Sequence, residues 1–569
     1  MAKRRSQTGA AKKRSATWVA LSAVFTIALC LRLVYLHSIQ NSPSALVLQT
    51  NALRYHTWAR AILDGNPPVP PFDQPPAYAY FVAAVYRLFG ADPSSVRVAQ
   101  AVLDAIGCTL LAALAAQRGV PIGVAWATGL LAAMYGPLIF FTGEILPATA
   151  SLLLLGLAAF AGSRKHWHVA GVLWLAATLF RTEFLLPFVA YVTWVFFGGL
   201  RLPARQLATW VILGWLIATT VVSAAAGRIV PYTTGFGLNL WLGNNPHADG
   251  VDPFPPVPLR AALERARAAS GNDPVKLERW FLGQAFAFWR EYPGEALRLL
   301  WKKFRWTLVD RELPNTGDVA WQQSHSWLFR LPLFPLSFGV VLCLAAAGFA
   351  TGFGRQCWKG DFIPLVIVAA CTLVTCSVFF TNGRFRLPLA PLLLVSAGHF
   401  LAALTANGVR RHLRQHPLAL TASVAVALWL AFANPFQVRK YFVPALLTNA
   451  GVAERLAGEL QVAIRLLERA VAATREDDLA WSHLALAREQ IGDLVGAAHA
   501  YLDGLTFASY SQDLRQLARE FCVRHGLKPQ WIDEWIENSS LTERQALRTQ
   551  IVETIRKATG TKHSTEQWN

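Results

Sequence analysis

Residues 3–36 read KRRSQTGAAKKRSATWVALSAVFTIALCLRLVYL: six cations, then an apolar run whose one charge, Arg32, comes near its end. The run at 18–36 is long enough for a helix to cross a bilayer core, which takes about 20 apolar residues. No small-residue cleavage site follows it, so it reads as a retained span and not as a removed signal peptide. The pattern recurs. Apolar runs at 96–116, 123–141, 145–161, 169–180, 184–197, 207–225, 327–350, 362–380, 387–406 and 418–433 complete a set of about eleven candidate spans, those at 145–161, 169–180 and 184–197 being short. Composition agrees. Of 569 residues 54% are hydrophobic and 15% charged, where a soluble domain carries about a quarter charged. The expected class is an all-α, polytopic membrane helical bundle.

The net charge of +19 is of the kind nucleic acid attracts, but its distribution excludes that partner. The six N-terminal cations, Arg118, Arg164 and Lys165, Arg201 and Arg205, Arg355 and Lys359, and Arg410, Arg411 and Arg414 all fall on one side of the expected spans. That is the positive-inside pattern. It makes residues 1–16 a basic cytoplasmic tail and 17–436 a transmembrane domain of the cell membrane. Cys30, Cys108, Cys343, Cys371 and Cys376 lie inside spans with no metal or disulfide spacing.

This topology puts loops 37–95 and 227–326 outside, with the junctions at 142–144, 181–183 and 381–386. Residues 55–64 and 77–88 read as surface helices, with Trp58, Tyr78, Tyr80 and Tyr86 at headgroup depth. Everything after about residue 436 is external too. There charge returns, and a repeat appears at an offset of about 34 residues, the tetratricopeptide period. Ala463, Leu467 and Ala470 recur as Ala497, Tyr501 and Gly504. Residues 447–510 are read as tetratricopeptide-like repeats and 511–569 as a helical capping segment, with a generic helical-hairpin bundle as the alternative. Stacked hairpins present a concave surface suited to a protein partner.

Candidate chemistry collects on the external face. Asp73 opens DQPP, where prolines stiffen the loop. Glu144 follows Phe140-Phe141, and Arg181 and Glu183 flank another junction. GFGLNLWLGNNP at 235–246, with Asp249 after it, reads as a glycine- and asparagine-rich turn. Arg384 and Arg386 begin a span in RFRLPL. Each has a plainer reading: a solvated loop acid, a helix cap, arginines snorkelling to headgroups, a run of tight turns. Their convergence on one face favours chemistry. A carboxylate can act as general base toward a hydroxyl, and arginines give fixed, permanently charged recognition of phosphate.

These stretches carry a resemblance: LRLVYL, NALRYHTWARAILDG, DQPPAYAYFVAAVYRLFG, YGPLIFFTGEIL, LFRTEFLLP, GLNLWLGNNPHADG, YPGEALRLLWKKFRW and RFRLPLAPLLL, in that order over about residues 31–400. The chain resembles the GT-C type membrane glycosyltransferases related to dolichyl-phosphate-mannose protein mannosyltransferases and aminoarabinose transferases. The resemblance implies a hexosyl- or pentosyltransferase that takes a sugar from a polyprenyl-phosphate carrier and passes it, with inversion, to an extracytoplasmic hydroxyl of protein, lipid or glycan. It implies that Asp73 and Glu144 line the reacting site, and that Arg181, Lys302 or Lys303, Arg384 and Arg386 hold the carrier phosphate. Gly243, Asn244 and Asn245, with Asp249 close by, would form a loop closing over it. One position departs. The family's base is the aspartate of Asp-x-x-x-Tyr, and here Asn51 precedes Tyr55 and His56. The base is then Asp73, Glu144 or His56, or the protein binds a lipid-linked sugar without turnover.

No cofactor is required by the sequence. Asp73 and Glu144 offer oxygen ligands of the kind that hold a divalent cation, and nothing in their spacing demands one. A lipid-linked sugar transporter is a competing class. It would keep coupling charges at midplane and show repeated halves, whereas Asp104 is the main charge inside the spans. A scaffold that recruits partners through its repeats is the other.

Overall fold

The computed structural model describes residues 2–116, 120–251, 257–313, 319–331, 334–358, 360–405, 417–433, 438–538 and 540–559. Arg118, Lys359, Arg410, Arg411 and Arg414 lie outside them, as do the side chains of residues 2–14. The described chain is helical, with no strand and one isolated bridge between Tyr135 and Leu336. Among the described residues five helices are long and apolar enough to cross a membrane: Ser15–Ile39, Pro93–Ala115, Arg201–Ala225, Phe338–Gln356 and Gly383–Leu404. Shorter apolar helices include Ile122–Met134, Ala148–Ser163, Trp167–Phe180, Thr182–Phe197, Ile363–Val378 and Pro417–Phe432. The chain is a helical membrane protein, the build that lets each backbone polar group find its partner within its own segment.

Two expected spans differ. The run at 123–141 is two helices, Ile122–Met134 and Gly136–Gly143, divided at an extended Tyr135 (φ −74°, ψ 115°). Pro137 in the first turn of the second helix has no N–H to continue the ladder. The freed groups pair elsewhere: Gly136 N donates to Leu336 O (2.9 Å) and Leu336 N to Met134 O (2.9 Å). The run at 327–350 becomes a continuous helix only from Phe338, where the Ser337 side chain accepts from Val340 N. Pro335 just upstream disfavours an earlier start.

The Asp104 inside a span is paired. Arg32 Nε donates to Asp104 Oδ2 (2.6 Å) and its Nη atoms to Ala133 O (2.5 Å) and Ala132 O (3.2 Å). A buried ion pair survives only with such extra hydrogen bonds. It ties the Ser15–Ile39, Pro93–Ala115 and Ile122–Met134 helices together and leaves Asp104 paired.

Residues 227–326 hold five helices: Phe236–Gly243, Val257–Ser270, Pro274–Glu291, Pro293–Thr307 and Val319–His325. Most of the glycine- and asparagine-rich stretch, Phe236–Gly243, is therefore helical, and bends and turns are confined to its Asn244-Asn245-Pro246 end. Glu278, on the Pro274–Glu291 helix, accepts from Gly237 N (2.6 Å) and supplies the helix start that the local sequence lacks.

The chain divides into two compact units: Met1–Asn41, Leu48–Phe254 and Ala266–Phe436 form one, and Ser42–Val47, Pro255–Arg265 and Gln437–Asn569 the other. The second unit is thus not the tail alone. Its helices pair as Val438–Leu456 with Leu460–Ala473, Asp478–Gln490 with Leu494–Phe507, and Gln512–Arg524 with Gln530–Glu537, before Leu541–Thr559. Gly458 (φ 91°), Gly492 (φ 84°) and Gly526 (φ 68°) sit at the turn of each pair, recurring every 34 residues. These left-handed turns suit glycine, which pays no Cβ penalty there. Gly504 lies so close to the Trp481 side chain that a Cβ would meet it at 2.8 Å. Small residues let paired helices approach.

Candidate functional site

The Thr50–Leu63 helix supplies the floor of the site. Tyr55 is completely buried, its ring edge-on to Tyr78 (4.9 Å) and Trp58 (6.2 Å). Its hydroxyl finds no hydrogen-bond partner, and burial raises the phenol far above its ordinary value. Asn51 stands one turn earlier on the same face. Arg384, Glu183, Asp73 and Arg54 all lie near enough to act on the Tyr55 hydroxyl electrostatically.

Arg384 comes from the segment after the Ile363–Val378 helix. Asn382 caps the next turn, its Oδ1 accepting from Phe385 N (2.9 Å). Arg384 is 9% exposed and its guanidinium lies over the Phe385 ring at 4.8 Å. It forms no ion pair with any described residue, and its Nε is buried without a hydrogen bond. Arg181 approaches the same ring (5.5 Å), and its Nη1 donates to Arg384 O (3.4 Å). Glu183 binds Arg181, with Nε to Oε1 at 2.7 Å. Two buried guanidiniums and one carboxylate leave a positive charge unanswered beside an unpartnered hydroxyl.

Asp73 is on the rim. It is ion-paired with Arg54 and about half exposed. Its loop is held by Thr234, whose N and Oγ1 both donate to Phe72 O (2.7 and 3.2 Å). Gly235 abuts Asp73 O, where a Cβ would stand 2.7 Å away.

A hydrogen-bonded relay runs from Tyr78 to the main chain at Glu144. Tyr78 OH donates to Gln100 Oε1 (2.7 Å), and Gln100 Nε2 donates to Thr142 O (3.1 Å) and Glu144 O (2.8 Å). Arg97 Nε holds the neighbouring Gly143 O (2.9 Å). No described residue hydrogen-bonds the Glu144 carboxyl. Burial pushes it up to about 7, against the opposing pull of Arg97.

The other expected residues are placed differently. Arg386 is committed: it donates to Glu312 Oε1 (2.6 Å), Val309 O (2.5 Å) and Arg311 O (2.9 Å) and covers the Phe338 ring (4.2 Å). Lys303 is wholly buried among carbonyls of Gly243, Val378 and Phe379. Lys302 lies over Trp306 (4.5 Å), and Asp249 opposes the lowering that burial imposes on it. Asp249 itself accepts from Val251 N (2.8 Å). Asn244 and Asn245 are buried and bonded to the backbone, so with Gly243 they form a packed junction. His56 turns to another face, its Nδ1 2.7 Å from Tyr86 OH; burial and Arg60 lower it. Of the five expected phosphate-binding cations, Arg181 and Arg384 come together.

Sequence reasoning left Tyr55 and Arg54 off the list of acting residues, and named Glu183 at its junction without giving it a role. The Arg-Tyr pair sat in NALRYHTW, where Tyr55 is one helical turn from Asn51. Among the described residues no group of three or more His, Cys, Asp or Glu side chains is arranged to hold a metal ion. No protein-family model matches the chain, and no curated protein matches it.

Proposed function

We propose that the membrane unit is a GT-C-like glycosyltransferase of about eleven spans, taking a sugar from a polyprenyl phosphate on the external leaflet of the cell membrane. The observation that carries the reading is Arg384: a buried guanidinium ion-paired with no described residue, beside Arg181 and a Tyr55 hydroxyl that no described residue hydrogen-bonds. A buried cation without a partner is costly, and a phosphate supplies the missing charge with acceptors suited to guanidinium forks.

The chemistry follows. The donor is a phosphodiester with one negative charge. An acceptor hydroxyl oxygen bonds to the anomeric carbon from the face opposite the phosphate, and the anomeric C–O(phosphate) bond breaks. The leaving polyprenyl phosphate gains charge, which Arg384 and Arg181 stabilise as it develops. Glu144 takes the hydroxyl proton. Its carboxyl, near 7 and hydrogen-bonded by no described residue, suits that step better than Asp73, which Arg54 holds. Asn51 has no basic oxygen for it.

The repeat-like tail fits an external protein-recruiting module of the tetratricopeptide kind. The second reading, a protein that binds the lipid-linked sugar without turning it over, is favoured by Asn51 alone. The test is reconstitution in nanodiscs with a radiolabelled polyprenyl-phosphate sugar and envelope acceptors. Wild type should bind the donor and transfer label, and Arg384→Ala should do neither. Binding without transfer selects the second reading; no binding by wild type refutes both.

A further inference from the structure

Lys303 is wholly buried, and no carboxylate pairs with it among the described residues. Its Nζ donates to Gly243 O (3.0 Å), Val378 O (2.9 Å) and Phe379 O (2.9 Å), with Asn244 Oδ1 at 3.4 Å. Gly243 ends one helix, Phe236–Gly243, and Val378 ends another, Ile363–Val378. Helix C-termini leave carbonyls without intrahelical donors and carry partial negative charge. Two of them meet here. A compact ammonium with three donors answers both.

The surrounding chain is built to this lysine. A Cβ at Gly243 would stand 1.7 Å from Phe379 O, so only glycine permits the approach. Gly250 (φ 92°) lies on the lysine stem, where a Cβ would be 2.6 Å from Cγ. Asn244 Nδ2 donates to Leu240 O (2.7 Å) and Val378 O (2.8 Å), repeating the bridge between the two helix ends, while Trp289 Nε1 donates to its Oδ1 (3.0 Å). Thr381 N donates to Gly250 O (3.1 Å). The next residue is Asn382, whose cap starts the turn carrying Arg384.

We propose that Lys303 is a positioning residue: its ammonium locks two helix C-termini together and so fixes the 378–386 segment that presents Arg384 to the phosphate. The inference rests on reading Arg384 as the anion-binding group. Lys303 does not bind the phosphate itself, since its protons are taken by protein oxygens.

Burial lowers Lys303 to about 7. Below that pH the ammonium holds the junction with three donors and full charge; above it the amine keeps two donors and loses the charge. The ionisable side chains on the adjoining elements are Glu295, Arg298, Lys302 and Arg305 on its own helix, His247 and Asp249 between Asn244 and Gly250, and Cys376, Arg384 and Arg386 along 376–386. Asp249 acts on Lys302, and Arg305 donates to Leu430 O.

The test uses the full chain in nanodiscs with a polyprenyl monophosphate as probe, read by binding affinity and by hydrogen exchange of peptides spanning 378–386. Lys303→Met should speed exchange in that segment and weaken binding about tenfold or more, since an ångström of misplacement costs up to about a hundredfold. It should also flatten the loss of wild-type affinity as pH rises through about 7. Lys303→Gln, which keeps two donors, serves if Met does not fold. Arg384→Ala should abolish binding with exchange in the segment unchanged. If wild type binds, Arg384→Ala does not, and the Lys303 variants bind and exchange like wild type, this inference is overturned alone. If wild type binds no probe, the anion reading falls and takes the inference with it.

Discussion

Arg384 and Arg386 stand two residues apart and are both buried, yet replacing each by methionine should move stability in opposite directions. Arg386 holds Glu312 and three backbone carbonyls. Arg386→Met removes the guanidinium that pairs with Glu312, itself 13% exposed. Breaking one side of such a pair costs about 3–5 kcal/mol. Arg384 has no comparable partner, and Arg181 adds a like charge beside it. Methionine there keeps the apolar volume over Phe385 and removes the stranded charge, so the ligand-free protein should gain about 1–2 kcal/mol. Thermal unfolding of detergent-solubilised protein, followed by size-exclusion fluorescence, would rank Arg384→Met above wild type and Arg386→Met below. Adding polyprenyl monophosphate at about 100 times its dissociation constant should stabilise wild type by about 2.7 kcal/mol and Arg384→Met not at all, reversing the first ranking. If Arg384→Met is destabilised without ligand as much as Arg386→Met, Arg384 is framework and the anion site is misread.

Gly243→Ala puts a Cβ 1.7 Å from Phe379 O, whereas Gly283→Ala on the Pro274–Glu291 helix meets nothing within 4 Å. The first should cost at least about 1–3 kcal/mol and the second gain about 0.5–1 kcal/mol, read as paired unfolding temperatures. Glu144, raised from its ordinary 4.5 to about 7, keeps a proton in the folded state that the unfolded chain has released between those values. Its contribution is therefore full below about 4.5 and lost as pH rises through about 7; Glu144→Gln should flatten that slope in unfolding measured against pH. The same variant should abolish sugar transfer while donor binding persists. Asn51→Asp restores a carboxylate one turn before Tyr55. Transfer that appears only in this variant identifies the native chain as a binder.

Hydropathy made the helical membrane class legible because a span is a local property: residues 18–36 need no distant partner to be apolar. The period of the tail was legible for a similar reason. Gly458, Gly492 and Gly526 recur on the repeat, and the third of them extends the pairing into residues assigned as a cap. What the sequence hid was set by distant contacts. Tyr135 breaks one expected span because Leu336 offers the backbone an alternative partner. The Gly-Asn stretch is helical because Glu278 caps it from 41 residues away. RFRLPL gives two arginines the same standing, and only the carbonyls of 307–311 and Glu312 decide that Arg386 is taken and Arg384 is not.

That division has a physical logic. Four cations from residues 303–386, Lys303, Arg305, Arg384 and Arg386, are buried in one unit, and each would be intolerable alone in a low dielectric. Lys303 is neutralised by two helix ends and Arg386 by a carboxylate and carbonyls. Both thereby become rigid framework on either side of Arg384. A framework determined that closely can hold one guanidinium unsatisfied. The unsatisfied charge is where sequence-level consistency breaks, and such breaks concentrate at functional sites. If the framework is what holds it, loosening either Lys303 or Glu312 should let Arg384 find a local partner, and anion affinity should fall without any contact to the anion being removed.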